Sequence, residues 1–203
     1  MLEYETELYK NEVDLIAGVD EVGRGPLIGP VVTAAVILPI NYFNENIKDS
    51  KKLTERQREK LYDLIMQDAI SVAIGIKDER VIDEINILEA TKLAMKEAIE
   101  KLKVKPQHVL IDAVKLDLPM PSTSIIKGDA KSESIAAASI IAKVTRDRML
   151  KEMAKEFPMY DLENNKGYGT KKHLEALKKY GPCKYHRMSF APVKDASEQI
   201  KVK

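Results

Sequence analysis

Short apolar runs alternate along this chain with longer segments in which apolar residues recur at helical spacing. The first two runs lie at residues 15–19 and 31–38, and the second is rich in β-branched residues and ends before Pro39. Because β-branched residues fit a pleated, buried strand, both runs predict strands. The stretch at 23–30 between them is rich in Gly and Pro, which predicts a hairpin.

Helical signals become frequent after the second strand. Thr54 and Gln57 form a capping box before a stripe of leucine and isoleucine, which predicts a helix to about residue 68. The same patterns predict three more helices and three more strands. The helices lie at about 86–102, 132–155 and 170–180, and the strands at 71–76, 109–111 and 123–126.

This order of elements predicts an α/β fold, a mixed five-stranded sheet flanked by helices with a small helical region at the C-terminal end. It divides the chain into a polar N-terminal arm at 1–14, a core at 15–155 and a C-terminal helical region at 156–203 that carries many basic residues. We expect the first dozen residues and the last few to behave as tails. The turn at 23–29 matches neither a P-loop nor a dinucleotide-binding fingerprint, so a doubly wound nucleotide-binding fold is not expected.

Charge is balanced overall but unevenly distributed. The 203-residue chain carries 33 basic and 32 acidic residues, and its net charge of +1 does not indicate a nucleic-acid partner. Residues 1–21 contain seven acidic side chains and one lysine, whereas residues 166–187 contain seven basic side chains and one glutamate. The two regions together suit a metal site beside a surface that follows phosphates. The basic stretch alone is equally compatible with a solvated helix face.

Cys183 is the only cysteine, so the chain forms no internal disulfide framework, and a reducing cytoplasm is the expected setting. His108, His173 and His186 lack the spacing of zinc ligands. The sequence shows no basic-then-apolar leader and no apolar run long enough to cross a membrane. We therefore expect a soluble, cytoplasmic protein.

Acidic residues follow several of the predicted strands. Asp20 and Glu21 come directly after the first strand, and Asp112 and Asp129 each follow another short apolar segment. An isolated Asp-Glu pair is usually a solvated turn, but strand ends at one edge of an α/β sheet are where ligands generally bind. Carboxylate oxygens favour hard cations such as Mg²⁺ and Mn²⁺ over zinc. The pattern predicts a site where divalent cations relieve the repulsion among four carboxylates.

Sequence motifs occur in a fixed order along most of the chain. They are GVDEVGRGPLIGPVV at 18–32, DSKKL at 49–53, IDA at 111–113, KGD at 127–129, AAASIIAKVTRD at 136–147, KGYGT at 166–170 with His173, and Gly181-Pro182 followed by His186-Arg187 and Ser189-Phe190. In this order, over about residues 16–193, they resemble the bacterial ribonuclease HII family of the ribonuclease H-like superfamily. No motif position departs from that pattern.

The resemblance implies an endonuclease that cuts the RNA strand of an RNA·DNA hybrid, including a single ribonucleotide embedded in duplex DNA, and leaves 5′-phosphate and 3′-hydroxyl ends. By motif position, its acidic quartet is Asp20, Glu21, Asp112 and Asp129. The expected cofactors are two Mg²⁺ or Mn²⁺ ions bridged by Asp20, one activating a water and one stabilising the leaving 3′-oxygen. Such an enzyme supports primer removal and the removal of ribonucleotides from DNA.

The resemblance also implies which residues contact the substrate. Gly23, Arg24 and Gly25 would present backbone groups to the 2′-hydroxyl, which distinguishes ribose from deoxyribose and both donates and accepts hydrogen bonds. Tyr168 would pack on the sugar that follows the ribonucleotide. From their residue types and places, four further residues are expected to meet the backbone and its phosphates: Ser50, Lys51, Lys52 and Lys143.

Two residue assignments stay open at this point. Asp147 lies between Arg146 and Arg148 in a predicted helix, so a structural ion pair suits it at least as well as a place in the site. His173 and His186 are expected to be structural or to face phosphate rather than to bind metal.

Three other functions stay open as well. A ribonuclease HIII prefers longer RNA stretches, but that family usually carries a sizeable N-terminal extension, and only about 15 residues precede the first strand. A hybrid-binding module without catalysis and a nuclease for DNA junctions are the other two. The expected partners are RNA·DNA hybrids and ribonucleotide-containing duplex DNA, with no membrane, no obligate protein partner and a monomeric state.

Overall fold

The computed structural model describes residues 1–48 and 50–201, so Asp49 of the motif at 49–53 lies outside the described residues. Its strands form one five-stranded sheet in the order β3-β2-β1-β4-β5. The first three strands along the chain pair antiparallel, whereas β1, β4 and β5 are parallel. The predicted mixed sheet and the predicted hairpin are confirmed. The strands are β1 (Ile16–Val22), β2 (Val31–Ile37), β3 (Ser71–Lys77), β4 (His108–Asp112) and β5 (Ser122–Ile125).

The helices include all four that the sequence predicts, which are α2, α4, α5 and α7. They also include four that it does not predict: α1 at the N-terminal end, α3, α6 and α8. The unpredicted ones have short apolar stripes. The helices of the described residues are α1 (Glu3–Tyr9), α2 (Glu55–Asp68), α3 (Glu79–Ile85), α4 (Ile87–Glu100), α5 (Glu133–Glu156), α6 (Leu162–Asn165), α7 (Lys171–Tyr180) and α8 (Ala191–Lys201).

The expectation that the first dozen residues form a tail is wrong. Glu5 of α1 is fully buried and accepts hydrogen bonds from the Ser132 hydroxyl at 2.6 Å and the Ser134 backbone N–H at 3.1 Å. Because the first N–H groups of a helix have no partner within it, a carboxylate at this place satisfies the start of α5. The acidic sequence of α1 therefore serves the fold rather than a solvated arm.

Two helices pack against the sheet, one on each face. α5 packs on β1 and β2 from one side, and α4 packs on β2 and β3 from the other. Ala136, Ala137 and Ala138 are fully buried, so the small side chains of α5 let it lie close to the sheet. Among residues 1–48 and 50–201, no helix combines the length and apolarity that crossing a bilayer requires.

The C-terminal helices pack against the hairpin connection rather than against the sheet. Leu27 and Ile28 share one apolar cluster with Tyr160, Leu177 and Val193. The backbone of Ile28 also bridges that of His186. The loop at 23–30 therefore lies between the sheet and the C-terminal region, next to the end of β1 where the acidic pair stands.

Candidate active site

The ends of β1 and β4 bring three carboxylates to one cavity of about 290 Å³. The two strands are parallel neighbours in which Val19 is opposite Ile111, so Asp20 and Asp112 follow at the same level. Glu21 comes next along β1. The cavity is lined by Asp20, Glu21, Val22, Ser50, Lys51, Asp112, Ser139, Lys143 and Tyr168.

A larger cavity, of about 490 Å³, lies elsewhere, between the C-terminal end of α4 and residues 117–120. Its walls include Ile99, Leu102 and Leu118, and it lies at the end of the sheet away from Asp20. Size alone therefore does not locate the chemistry, whereas the convergence of carboxylates from separate strands does.

Burial and mutual repulsion raise the pKa values of the carboxylates in the smaller cavity. Burial raises the pKa of Asp20 well above its usual value, and the neighbouring carboxylates of Glu21 and Asp112 raise it further. Burial also raises the pKa of Glu21, although the Arg24 guanidinium, 3.6 Å away, opposes the shift. The Glu21 Oε2 atom is buried without a hydrogen-bond partner. Added positive charge near these carboxylates would favour their ionised forms.

The carboxylates fit divalent cations by their chemistry without forming a closed cage. Asp112 Oδ1 accepts a hydrogen bond from the Gly128 N–H at 2.6 Å, which orients that side chain. In the part of the chain that the structure describes, no three His, Cys, Asp or Glu side chains form a ready metal cluster. Mg²⁺ is usually held by one or two carboxylates together with waters and substrate phosphates, so an open carboxylate site suits it.

Asp129 is placed beside the cavity rather than in it. It lies half-buried on the 3₁₀ turn Gly128–Ala130 and is not among the residues that line the cavity. The hydrogen bond between Gly128 and Asp112 keeps its backbone next to the acidic cluster.

The polar residues expected at the substrate backbone divide into three that line the cavity and one that does not. Ser50, Lys51 and Lys143 line it, whereas Lys52 is exposed outside it. The Ser50 and Ser139 hydroxyls are 2.8 Å apart. Arg58, which the sequence analysis missed, holds the turn at 50–52 by donating to the Ser50 carbonyl at 2.9 Å.

Asp147 is a structural partner of Lys143. It is buried and accepts a hydrogen bond from the Lys143 ammonium at 2.7 Å, and the Arg58 guanidinium is 3.8 Å away. Its sequence neighbours do not pair with it: Arg148 binds Glu59 on the surface, and Arg146 turns towards the loop at 23–30. Burial lowers the pKa of Lys143, and Asp147 opposes that shift.

Tyr168 lines the cavity, and the loop at 23–30 lies against its ring without lining the cavity itself, so Gly23, Arg24 and Gly25 stand beside the cavity. Tyr168 is 50% exposed, so it is displayed rather than packed in the core. A Cβ atom on Gly25 would lie 3.1 Å from Cε1 of the Tyr168 ring. Glycine at this position therefore lets the ring lie directly against the loop backbone.

Two buried arginines behind this loop were not recognised as site residues from the sequence. Arg146 and Arg187 are 1% and 0% exposed. Counting Arg187 in a basic surface that follows phosphates is therefore wrong, since its guanidinium binds loop carbonyls inside the protein. An arginine on the otherwise small and apolar face of α5 was the available signal for Arg146.

His173 and His186 are structural. His173 Nδ1 lies 2.9 Å from the Tyr168 carbonyl oxygen, and the two Nε2 atoms are 3.0 Å apart. The Cys183 N–H donates to His186 Nδ1 at 3.0 Å. These contacts are all satisfied when His173 carries its proton on Nδ1 and His186 on Nε2. Burial lowers the pKa of both rings, that of His186 to about 3, so the pair is neutral.

Comparison with known proteins places this arrangement in a family. The model of the family described as ribonuclease HII matches residues 17–193. Over 195 residues the chain is 57% identical to ribonuclease HII of Bacillus cereus (strain B4264), covering 96% of this chain and 76% of that protein. The chain belongs to the ribonuclease HII family.

As a ribonuclease HII it is a hydrolase acting on RNA in RNA·DNA hybrids, and the predictions of family and enzyme class are confirmed. The crystal structure of ribonuclease H2 from Pyrococcus horikoshii OT3 has a TM-score of 0.82 at 28% identity, covering 93% of this chain and 99% of that one. This likeness confirms the ribonuclease H-like fold.

Two further solved structures share the fold. Ribonuclease HII of Archaeoglobus fulgidus, solved in a complex with PCNA, has a TM-score of 0.69 at 29% identity over 82% of this chain and 86% of that one. Bst-RNase HIII in complex with Mn²⁺ has a TM-score of 0.72 at 17% identity over 94% of this chain and 71% of that one.

Proposed function

We propose that this ribonuclease HII cuts the RNA strand of RNA·DNA hybrids and also nicks duplex DNA on the 5′ side of a single embedded ribonucleotide. The products would carry 5′-phosphate and 3′-hydroxyl ends, and the activity would serve ribonucleotide excision and primer removal. The observation that carries the proposal is the cavity in which the carboxylates of Asp20, Glu21 and Asp112 face the Tyr168 ring. This shared cavity supports cleavage chemistry and a sugar contact at one site.

Asp20, Glu21 and Asp112 would hold Mg²⁺ or Mn²⁺, with Asp129 completing the set from the adjacent turn. Two such ions would supply an activated water and charge stabilisation of the leaving 3′-oxygen. The Glu21 Oε2 atom, buried without a hydrogen-bond partner, and the raised pKa of Asp20 support this assignment, because a divalent cation would stabilise the charged form of both carboxylates. The Mn²⁺ complex of Bst-RNase HIII shows divalent metal on the same fold.

The polar residues of the cavity would hold the nucleic-acid backbone. Lys143, oriented by Asp147, and Lys51, on the turn held by Arg58, lie beside the carboxylates and would contact phosphates. Gly23, Arg24 and Gly25 would contact the 2′-hydroxyl through backbone groups, while Tyr168 covers the next sugar. Lys52, outside the cavity, would meet the duplex further along.

We propose further that the enzyme acts as a monomer in the cytoplasm without an obligate protein partner. The single cysteine suits a reducing compartment. The three parts proposed for the chain, at 1–14, 15–155 and 156–203, would then cooperate within one molecule. Light scattering with and without a ribonucleotide-containing duplex tests the monomeric state.

Cleavage of a labelled DNA duplex with one internal ribonucleotide tests the proposed function. The assay is run with Mg²⁺, with Mn²⁺ and with EDTA, beside an all-DNA duplex and a long RNA·DNA hybrid. We expect a metal-dependent nick immediately 5′ of the ribonucleotide, and none in the all-DNA duplex. Cutting of the long hybrid alone would replace the proposal with a specificity of the HIII type, and equal cutting of all-DNA duplex would replace it with a DNA nuclease.

A further inference from the structure

Arg187 binds the carbonyl side of the hairpin loop. Its Nε donates to the Gly29 carbonyl at 2.9 Å, and its Nη2 donates to the Gly23 carbonyl at 2.6 Å. Its Nη1 donates to the Arg24 and Pro26 carbonyls at 3.0 and 2.8 Å. One planar guanidinium therefore holds four carbonyl groups of a loop that begins directly after the acidic pair.

Arg146 joins the same loop to the segment that carries the tyrosine. Its Nε and Nη2 donate to the Pro30 and Ile28 carbonyls at 3.0 and 2.9 Å, and its Nη1 donates to the Lys166 carbonyl at 2.9 Å. The Leu27 N–H adds a bond of 2.8 Å to the Gly167 carbonyl. The positions of the loop and of residues 166–168 are thereby coupled.

Together the two side chains satisfy six of the eight carbonyl groups from Gly23 to Pro30, and the Arg187 N–H binds a seventh, that of Leu27. Within residues 1–48 and 50–201 neither guanidinium forms an ion pair. Buried charges normally need a carboxylate, and here peptide dipoles take that role. Burial lowers the pKa of Arg187 to about 9, which still leaves it charged at neutral pH.

The loop conformation leaves little room for adjustment. Gly23 has a φ of +95°, and a Cβ there would lie 2.3 Å from Arg146 Nε. Gly25, two residues on, faces the Tyr168 ring. A shift of either guanidinium would therefore change the spacing between the loop backbone and that ring.

We infer that Arg146 and Arg187 are positioning residues for substrate specificity: they set the spacing between the Gly-Arg-Gly backbone and the Tyr168 ring that selects one ribose followed by a deoxyribose. This inference rests on the proposed function. A single embedded ribonucleotide offers one 2′-hydroxyl in one register. A uniform hybrid offers a hydroxyl at every step, so a displaced loop still finds one. A displaced loop should therefore lower kcat/KM more on the single-ribonucleotide duplex than on the uniform hybrid.

The test uses Arg146→Lys and Arg187→Lys, with Arg148→Lys as the matched control. Lysine keeps the charge but lacks the planar fork that holds several carbonyls. Arg148 lies on the same helix as Arg146 but is half-exposed and paired with Glu59. For each purified protein, kcat/KM is measured in Mg²⁺ on a single-ribonucleotide duplex and on a uniform hybrid of the same sequence. Both substrates see the same enzyme, so any unfolded fraction cancels in the ratio.

We expect the ratio of the two kcat/KM values to fall about tenfold in the Arg146 and Arg187 variants, the size of effect that misplacement by a fraction of an ångström produces. The control should stay within about twofold of wild type. Faster amide exchange across residues 23–30 should accompany the fall. An unchanged ratio in both variants, including an equal loss on both substrates, would show a merely structural role and overturn the inference.

The wild-type enzyme separates this result from the proposed function. If it nicks the single-ribonucleotide duplex and the variants keep its ratio, the inference fails while the proposed function stands. If the wild-type enzyme itself does not nick that duplex, the proposed function fails and the specificity role fails with it.

Discussion

The two sides of the cavity satisfy their polar groups in opposite ways. The carboxylate side, formed by Asp20, Glu21 and Asp112, gathers like charges and leaves Glu21 Oε2 without a partner. The loop side is formed by Tyr168 and by residues 23–30, which lie next to the cavity against that ring, and nearly every carbonyl of the loop is bound by a buried arginine or the protein backbone. Both sides are connected through the end of β1, so this difference arises within a few residues.

The difference follows from what each side is proposed to bind: divalent cations on the carboxylate side and the 2′-hydroxyl on the loop side. Cations can satisfy carboxylates, so these groups are left poorly satisfied by the protein itself, at a cost in stability. The 2′-hydroxyl is neutral and small, and distinguishing it depends on the placement of donors and acceptors rather than on charge. For the proposed function we therefore expect the loop side to be rigid before the substrate arrives, since each group ordered in advance lowers the entropic cost of binding.

Replacement of Asp20 should produce the largest effect. We expect Asp20→Asn to lower turnover in Mg²⁺ by about a thousandfold or more, because the proposed cations would lose a ligand that lies near both Glu21 and Asp112. The melting temperature without metal should be unchanged or higher than that of the wild type, since the substitution removes a buried charge that neighbouring carboxylates repel. Steady-state cleavage and melting by circular dichroism are the two measurements. Asp63→Asn, on the exposed face of α2, is the control. Cleavage at the wild-type rate would remove Asp20 from the site.

Tyr168→Ala should produce a smaller and more selective loss. We expect cleavage of a single-ribonucleotide duplex to fall roughly tenfold to a hundredfold, the range for losing one aromatic contact with a nucleotide. Metal binding, followed by Mn²⁺ titration monitored by electron paramagnetic resonance, should not change, because the ring lies on the loop side. Tyr180→Ala, also exposed, serves as the control. Equal losses of cleavage and metal affinity would contradict the separation of the two sides.

The carboxylate side could be found in the sequence, whereas the support of the loop side could not. Asp20 and Asp112 each end a short apolar strand, and parallel neighbours bring such ends together. Arg187 contacts Gly23, 164 residues away, and nothing local distinguishes it from the solvated lysines of its basic segment. Every residue carries a backbone carbonyl, so a buried arginine that binds only carbonyls has no characteristic partner residue in the sequence.

The same limit explains the errors in the fold. Most of the strands and the four predicted helices have clear apolar patterns, whereas the apolar residues Tyr4, Leu8 and Tyr9 of the short helix α1 alternate with acidic ones. Glu5 is buried because of a contact with Ser132, 127 residues away. Local pattern therefore predicted a tail where tertiary contacts form a helix.

Glu133 tests whether buried carboxylates with raised pKa values also occur away from the cavity. It is buried near Glu5 at the start of α5, its Oε2 atom has no partner, and burial with the Glu5 charge raises its pKa to about 7 from 4.5. The folded state therefore binds this proton more tightly than the unfolded chain. Its contribution to the free energy of unfolding is complete below about pH 4.5 and is lost as the pH rises through about 7.

Glu133→Gln should remove the loss of unfolding free energy that ionisation of Glu133 causes as the pH rises. Turnover should stay unchanged, so this substitution has the smallest expected effect on the reaction. The free energy of unfolding of the variant, relative to that of the wild type, should be about 1–3 kcal/mol higher at pH 8 than at pH 5, since each pKa unit corresponds to about 1.4 kcal/mol. Urea unfolding at the two pH values measures this, with the exposed Glu152→Gln of the same helix as control. A parallel pH dependence in wild type and variant would mean that Glu133 ionises normally. The raised pKa values of Asp20 and Glu21 at the cavity would then have no counterpart at the start of α5.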